Sequence, residues 1–468
     1  MTRCFTAEEK ASTGANTMPA MVKLHPNNAL VRNSVWMFLG QGLRLVIQAA
    51  YFTVIARSLG ASNYGAFVSV AALAGILFPF ATMGSGFLLI KNVSRDQRLF
   101  SAYWGRGLVT TAAFSSIFFV IALLISSFVL PPAIPRRLVW LVAASDLFGL
   151  SIIGMCAQAF QAFDRLNWTA TINVLLSSAR LAGALVLVAI HRHPSALQWG
   201  YIYFCSTAIV VVATWLLVSI KLDSPRFGRQ RSATETREGL YFSVGLSAQT
   251  IYNDIDKTML ARLGSLDAAG IYGAAYRLID VSFVPVSSVL AAAYPNFFRV
   301  GAAGVSASLA YGKPLLLRAL GYSLLVAMAL LMFSGVVPYF LGPEYVRTAE
   351  ALRWLALLPL LKAVHYFLSD ALSGAGYQGV RSCIQAVVAG FNVLLNLWLI
   401  PAYSWRGAAW SSIASDALLA SAIGTAAFLL SRRTRAVSMP VTTKGNVWSA
   451  ETPLESLLVP SRTDQEKY

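Results

Sequence analysis

Long apolar segments follow one another along most of the chain, separated by short polar stretches. A helix needs about 20 apolar residues to cross a bilayer, and it satisfies its own backbone hydrogen bonds there. The pattern therefore predicts an all-α polytopic membrane protein with about twelve transmembrane helices. We place these spans at residues 36–56, 66–88, 108–129, 138–160, 170–190, 201–220, 241–261, 271–293, 315–337, 352–372, 384–400 and 408–430.

The longest polar stretch between two spans divides the twelve into two groups of six. We expect a cytoplasmic N-terminal arm (1–29), an N-lobe with spans 1–6 (30–220), a cytoplasmic linker (221–239), a C-lobe with spans 7–12 (240–430) and a disordered cytoplasmic tail (431–468). No loop is long enough to hold a soluble catalytic domain.

Short motifs recur in both halves in the same order. Ala56-Arg57 ends span 1 and Ala261-Arg262 ends span 7, while Tyr64-Gly65-Ala66 opens span 2 and Tyr272-Gly273-Ala274 opens span 8. Six spans return the chain to the side on which it began. The two lobes are therefore predicted to be parallel repeats, related by an axis along the membrane normal.

Composition and charge agree with this architecture. Of all residues, 57% are hydrophobic and only 12% are charged, more apolar surface than a water-soluble fold can bury. On the side of the termini lie 24 of the 37 Lys and Arg, against seven in the opposite loops. By the positive-inside rule both termini are predicted to be cytoplasmic. Because the cations are scattered over many loops, we expect no nucleic-acid partner.

Five spans carry polar side chains spaced along one helical face. A charged side chain costs at least about 2.5 kcal/mol at the centre of a bilayer, so these faces are predicted to line a shared wet cavity between the lobes. They comprise Asn33, Gln41, Arg44 and Gln48 in span 1; Thr169, Asn173, Ser177 and Arg180 in span 5; Gln249, Asn253, Asp256 and Lys257 in span 7, with Asp254 to one side; Arg277 and Asp280 in span 8; and Gln385, Asn392 and Asn396 in span 11.

Arg44 and Arg180 have no acid nearby on their own helices, and an unpaired cation in a bilayer invites an anionic ligand. Some of the other polar residues have a plain structural alternative. The side chains of span 11 could be contacts between helices, Arg277 and Asp280 could form an i,i+3 ion pair, and Asp256 could be neutralised by Lys257. The acids Asp254, Asp256 and Asp280 are candidates for ion coupling or, alternatively, for a fixed ion-pair network.

No catalytic constellation is visible in the sequence. It has no phosphate loop, no metal-ligand cluster and no nucleophile motif, and His365 stands alone in span 10. Three of the four cysteines fall in apolar spans, where Cys usually acts as a small hydrophobe. We therefore predict no catalytic residue, no metal and no cofactor, and a protein that is not an enzyme.

The chain resembles the Wzx-type oligosaccharide flippases of the multidrug/oligosaccharidyl-lipid/polysaccharide exporter superfamily. The resemblance rests on residues 35–42 (VWMFLGQG), 55–60 (IARSLG) and 64–65 (YG), and on Pro401 followed by residues 407–409 (GAA). It covers about residues 30–430.

This resemblance implies two six-helix lobes around a hydrophilic lumen and translocation by alternating access. The implied substrate is a polyprenyl-diphosphate-linked oligosaccharide, an O-antigen, exopolysaccharide or capsule repeat unit, moved from the cytoplasmic to the periplasmic leaflet of a bacterial inner membrane. The implied partners are this lipid, membrane lipid, a polysaccharide polymerase and a chain-length regulator. Residue types suited to the diphosphate and sugar hydroxyls are Arg, Lys, Asn and Gln, here Arg44, Arg180, Gln41, Gln48, Asn173, Asn253, Lys257 and Arg277.

Three other functions stay open. A lipid II flippase commonly has two further spans, for which the tail lacks apolar length. A multidrug or cation antiporter needs an acidic site, which span 1 lacks but spans 7 and 8 could provide. A polymerase or ligase of the same pathway would be expected to carry a long periplasmic loop with catalytic Arg or His, and the outer loops here are short.

Overall fold

A computed structural model of the protein describes residues 28–94, 96–227 and 233–437. Most of the predicted N-terminal arm and the part of the predicted disordered tail beyond residue 437 lie outside the described residues. Residues 431–437, which we assigned to the tail, instead continue the last helix, and residues 233–239, assigned to the linker, belong to the first helix of the C-lobe.

The described part of the chain is almost entirely helical. Its α-helices are α1 (Asn28–Thr82), α2 (Ser85–Val93), α3 (Phe100–Val129), α4 (Arg136–Ala144), α5 (Ser151–Ala162), α6 (Leu166–Ile190), α7 (Ala196–Lys221), α8 (Ala233–Leu263), α9 (Leu266–Gly301), α10 (Val305–Phe333), α11 (Val337–Leu341), α12 (Val346–Leu355), α13 (Leu358–Gly374), α14 (Gln378–Tyr403) and α15 (Trp405–Val437). A π-helical turn, Ser145–Leu150, joins α4 to α5.

These helices form twelve spans. The long helix α1 holds spans 1 and 2, which are separated at Gly60, where φ is 72°. Spans 4, 9 and 10 are each built from two consecutive helices, and α12 and α13 of span 10 are bent by 46°. In the described residues nine helices are individually long and apolar enough to cross a membrane, or ten if the bent pair counts as one span. The number is below twelve because α1 counts once and because α8 carries several charged side chains.

The N-lobe and the C-lobe meet chiefly through α1, which packs against α6 within the N-lobe and against α8 and α9 of the C-lobe. The repeated motifs lie at this junction, and close contact between the helices there explains Gly65 and the nearby Gly270. A Cβ added to Gly65 would lie 1.8 Å from the carbonyl oxygen of Leu266, and one added to Gly270 would lie 1.9 Å from that of Ala61. The two backbones are therefore in direct contact, which only glycine permits here.

Hydrogen bonds between the lobes reinforce this junction. The Tyr345 hydroxyl donates to the Ala56 carbonyl (2.9 Å), and the Ala61 N–H donates to a carboxylate oxygen of Glu344 (2.8 Å). The Ser69 hydroxyl donates to the Lys257 carbonyl at 3.1 Å. We call this region, residues 56–69 against residues 257–273 and 344–345, the closed end.

A second, smaller contact ties the start of α8 to the N-lobe. Tyr103 donates to Glu235 (2.8 Å), and Arg106 pairs with the same carboxylate at 3.3 Å. The linker also lies against α3, because the Ser101 hydroxyl donates to Asp223. That hydrogen bond holds the pKa of the Asp223 carboxyl below its ordinary value.

Candidate functional site

Two adjoining cavities lie between the lobes, beyond the closed end. The first chamber has a volume of about 310 Å³ and is lined by aromatic residues of α1 and by Arg180, Asp254, Lys257, Arg277 and Asp280. The second chamber has a volume of about 300 Å³ and is lined by Arg44, Gln48, Asn173, Ser177, Arg180 and Arg277, together with apolar residues. Tyr51, Arg180 and Arg277 line both chambers, so these three residues form the boundary between them.

Predicted polar residues of four spans line the chambers: Arg44 and Gln48 of α1, Asn173, Ser177 and Arg180 of α6, Lys257 of α8, and Arg277 and Asp280 of α9. Asp254, predicted to lie to one side of the span 7 face, also lines the first chamber, whereas Gln249, Asn253 and Asp256 of that face line neither.

The face of span 11 lines neither chamber. Asn392 donates to the hydroxyls of Ser411 (3.3 Å) and Ser415 (3.2 Å) on α15, and Asn396 donates to Asn392. The expectation that this face lines the cavity is wrong, because Asn392 and Asn396 are buried against each other and against α15, and no residue of the face lines a chamber. The polar face of span 11 instead forms a contact between helices, which was the alternative given for it in the sequence analysis.

Of two further candidates, one has a side chain outside the described residues and the other lies away from both chambers. The side chain of Gln41 falls outside the described part of α1. Asn253 is not among the residues lining either chamber, and its amide donates back to the Gln249 carbonyl at 3.0 Å. Gln249 in turn donates to the Tyr366 hydroxyl.

Arg44 and Arg277 are the cations whose surroundings best fit an external anion. Arg44 is half-buried, and among the described residues neither guanidinium lies within ion-pair distance of a carboxylate. They come from opposite lobes, on α1 and α9, and both face the second chamber. Like charges sharing a partly buried cavity repel each other, so an anion bound between them would relieve that repulsion.

The prediction that Arg180 lacks a nearby acid is wrong. Asp146, on the π-helical turn of span 4, lies 3.9 Å from the guanidinium. Tyr203 connects them: Arg180 donates to the Tyr203 hydroxyl (2.6 Å), which donates to Asp146 (2.7 Å). The guanidinium also stacks 4.2 Å from the centre of the Tyr203 ring. Since Asp146 and Tyr203 belong to other helices, the sequence around Arg180 carried no sign of them.

The ion pairs of the C-lobe also differ from those expected. Asp280 pairs with Lys362 of α13 at 3.4 Å rather than with Arg277, and the ammonium of Lys257 pairs with Asp254 one turn earlier rather than with Asp256. Both ammonium groups lie 4.7 Å from the centre of the Tyr276 ring, which stabilises them by cation–π contact. Spacing alone could not reveal these pairs, because flexible lysine side chains can choose among several acids.

Asp256 is buried away from both chambers. Its carboxylate accepts hydrogen bonds from the Lys257 backbone N–H (2.8 Å), from the Ser412 hydroxyl (3.1 Å) and from the Tyr272 hydroxyl. Three donors satisfy a buried carboxylate well. The geometry therefore favours the structural alternative for this residue.

His365 has a partner, contrary to its solitary position in the sequence. Its Nε2 lies 2.9 Å from a carboxylate oxygen of Asp416 on α15, and both side chains are buried. In the described residues no group of three or more His, Cys, Asp or Glu could hold a metal ion.

The fold defines the class of the protein. It is similar to an inward-facing multidrug resistance MATE family transporter of the MOP superfamily, with a TM-score of 0.69, 14% identity, and coverage of 86% of this chain and 100% of that one. An outward-facing MATE transporter gives a TM-score of 0.62 at 15% identity over 88% and 97% of the two chains. A MOP superfamily transporter from Pyrococcus furiosus gives 0.59 at 16% identity over 88% and 96%. At these identities the likeness establishes the two-lobe, twelve-helix fold alone, and it confirms the predicted fold class.

The family follows from the sequence. The model of a family described as polysaccharide biosynthesis protein matches residues 30–300, more than half of the chain, and the chain belongs to this family. The resemblance noted above is confirmed by this match together with the fold. The chain is a multi-pass membrane protein.

Curated relatives are distant and archaeal. The chain is 22% identical over 404 residues, 83% of its length and 81% of the relative's, to a probable low-salt glycan biosynthesis flippase, Agl15, of Haloferax volcanii. It is 20% identical over 276 residues to an uncharacterized membrane protein of Methanocaldococcus jannaschii. That match spans 56% of this chain and about half, 54%, of the relative.

Proposed function

We propose that the protein is a flippase that moves a polyprenyl-diphosphate-linked oligosaccharide across the membrane by alternating access. The observation that carries the proposal is a set of three arginines at the chambers: Arg180 and Arg277 at the boundary between them, and Arg44 on the wall of the second. Membership in a polysaccharide biosynthesis family and similarity to a probable glycan flippase support it.

The proposed chemistry follows from the lining of the second chamber. A diphosphate carries close to two negative charges, and guanidinium groups bind such oxygens with paired hydrogen bonds. Arg44 and Arg277 approach from opposite lobes, so the diphosphate would draw the lobes toward each other. Gln48 and Asn173 offer donors and acceptors for sugar hydroxyls, and Gln41 and Lys257 remain predicted ligands.

The proposed movement uses the closed end as one of two alternating seals. With that end closed, we expect the chambers to be reached from the opposite side. Separation of residues 56–69 from residues 257–273 would open the lumen at the other face. The polyprenyl tail stays in the bilayer while the polar headgroup crosses between the lobes.

Orientation and setting are part of the proposal. We assign both termini to the cytoplasm and the closed end to the outer face, from the distribution of Lys and Arg. The setting is the plasma membrane; a bacterial inner membrane, a polysaccharide polymerase and a chain-length regulator stay predictions from the resemblance.

A cation antiporter is the second candidate, because the carboxylates of Asp254 and Asp280 are 31% and 43% exposed in the first chamber. Each is paired with a lysine, which weakens it as a site for a cationic drug. A lipid II flippase is a special case of the proposed activity, and substrate competition would identify it.

Variants of Arg44 test the proposal in proteoliposomes containing a labelled polyprenyl-diphosphate oligosaccharide. Arg44→Ala should abolish translocation at near-normal expression, and Arg44→Lys should restore only part of it because lysine cannot form a bidentate contact. Arg192→Ala, which changes an exposed loop cation, is the matched control. Full activity of Arg44→Ala would remove this residue from the site.

A further inference from the structure

The two chambers differ in the charged groups that they present to a ligand. Among the described residues, the ionisable groups on the wall of the second chamber are Tyr51 and three arginines, whereas Asp254 and Asp280 line the first chamber beside Arg180, Lys257 and Arg277. In the first chamber the acids lie at the surface: the side chains of Asp254 and Asp280 are 31% and 43% exposed, whereas those of their partners Lys257 and Lys362 are 10% and 5% exposed. The ammonium groups thus lie behind the carboxylates, against the Tyr276 ring.

Aromatic side chains form the opposite wall of the first chamber. Tyr51, Phe52, Tyr64 and Phe67 all line it, and all come from α1. Their rings are held in place by one another and by the N-lobe: Phe52 packs edge-on against Tyr64 at 5.8 Å, and Phe67 against Tyr203 at 5.1 Å. A rigid apolar wall facing hydrogen-bond acceptors suits a ligand with apolar C–H faces and a rim of hydroxyl donors.

From this pairing we infer that the first chamber is the subsite for the sugar attached directly to the diphosphate, and that it selects uncharged sugars over acidic ones. The inference rests on the proposed function. A diphosphate held by Arg180 and Arg277, which line both chambers, leaves that sugar at the entrance of the first chamber. A volume of about 310 Å³ accommodates a short saccharide, with its hydroxyls donating to Asp254 and Asp280.

Asp254 and Asp280 are thereby residues that determine specificity. A neutral sugar gains charge-assisted hydrogen bonds from them. A uronic acid would place a third carboxylate against the two exposed ones, in front of the buried ammonium groups of Lys257 and Lys362, and repulsion at this short range should lower its affinity about tenfold. The arginines cannot offset this repulsion, because the diphosphate already neutralises them.

The test compares three probes on the purified full-length protein by isothermal titration calorimetry. The probes are geranyl diphosphate, geranyl diphosphate carrying N-acetylglucosamine and geranyl diphosphate carrying glucuronic acid. We expect the neutral sugar to bind more tightly than bare geranyl diphosphate and the glucuronic acid conjugate about tenfold more weakly than the neutral one. Asp254→Asn should reduce this preference several-fold.

Asp370→Asn is the matched control, since Asp370 pairs with Arg381 at 3.3 Å and lines neither chamber. It should keep the full preference. Equal affinity of the unmodified protein for the two sugar conjugates would overturn the inference. This result does not depend on the folding of any variant. A preference that persists in Asp254→Asn and in Asp280→Asn removes these carboxylates as its cause. Failure of all three probes to bind, bare geranyl diphosphate included, instead contradicts the diphosphate site of the proposed function and the inference with it.

Discussion

Removing the carboxylate of Glu344 should release the closed end. Glu344 belongs to the C-lobe, and its carboxylate accepts the N–H of Ala61 at 2.8 Å, at the first turn of span 2 in the N-lobe. An anion at a helix N-terminus also interacts favourably with the helix dipole. Gly60, beside it, has a positive φ and leaves the space that the carboxylate fills.

The magnitude follows from the type of bond. A hydrogen bond to a charged group contributes about 1.5–3 kcal/mol, and Glu344 is exposed to solvent, so the lower end applies. We expect Glu344→Ala to shift the equilibrium between closed and open lobes by about 1.5 kcal/mol, which is about tenfold. Glu344→Gln keeps an oxygen acceptor and should shift it less.

Double electron–electron resonance between spin labels at residues 57 and 347, in a cysteine-free background, measures this equilibrium. The unmodified protein should show mainly a short distance, and Glu344→Ala should gain a longer one. Glu350→Ala is the control, because Glu350 pairs with Arg406 at the surface of the C-lobe (2.7 Å) and bridges no lobes. An unchanged distance distribution in Glu344→Ala, or an equal change in the control, would refute the reasoning.

Three further predictions follow from the same geometry. Gly270→Ala places a Cβ 1.9 Å from the Ala61 carbonyl, so it should prevent closure and abolish transport, with a lengthened distance between labels at 57 and 347 as the check. Asp256→Asn replaces a buried carboxylate that accepts hydrogen bonds from three donors. The variant should have a lower thermal unfolding temperature, and any response of its transport to a pH gradient should stay intact. Loss of that response in a stable variant would instead favour ion coupling. Cysteine labelling should find residues 91–106 and 221–239 cytoplasmic and Arg136, Arg192 and Arg347 on the opposite face, and a reversed result at any of these would break the topology.

The sequence predicted the fold because a bilayer leaves few choices. Runs of about 20 apolar residues must be helices there, and the repeated Tyr-Gly-Ala motifs indicated two similar halves. The position of these motifs at the lobe junction was not predicted, because it depends on how the two lobes pack. Element ends were less predictable. Spans 1 and 2 are separated only by a kink at Gly60, and α8 begins at Ala233, because the polar ends of membrane helices carry no apolar signal.

The candidate site was predicted in part. Periodicity placed Arg44, Gln48, Asn173 and Arg180 on faces that reach the second chamber. It could not choose partners across helices, so it missed the contacts of Arg180 with Asp146, Lys362 with Asp280 and His365 with Asp416. Those pairs depend on how distant spans pack, which a helical period does not contain.

The central claim is that the purified protein alone moves a diphosphate-linked glycan across a bilayer. Proteoliposomes carrying a fluorescent polyprenyl-diphosphate oligosaccharide, treated with a membrane-impermeant quencher, measure this directly. We predict that the quenched fraction rises from the outer-leaflet share toward completeness only when the protein is present, and that an excess of unlabelled substrate slows the rise. A quenched fraction that stays at the outer-leaflet share, in vesicles shown to contain folded protein, would contradict the account.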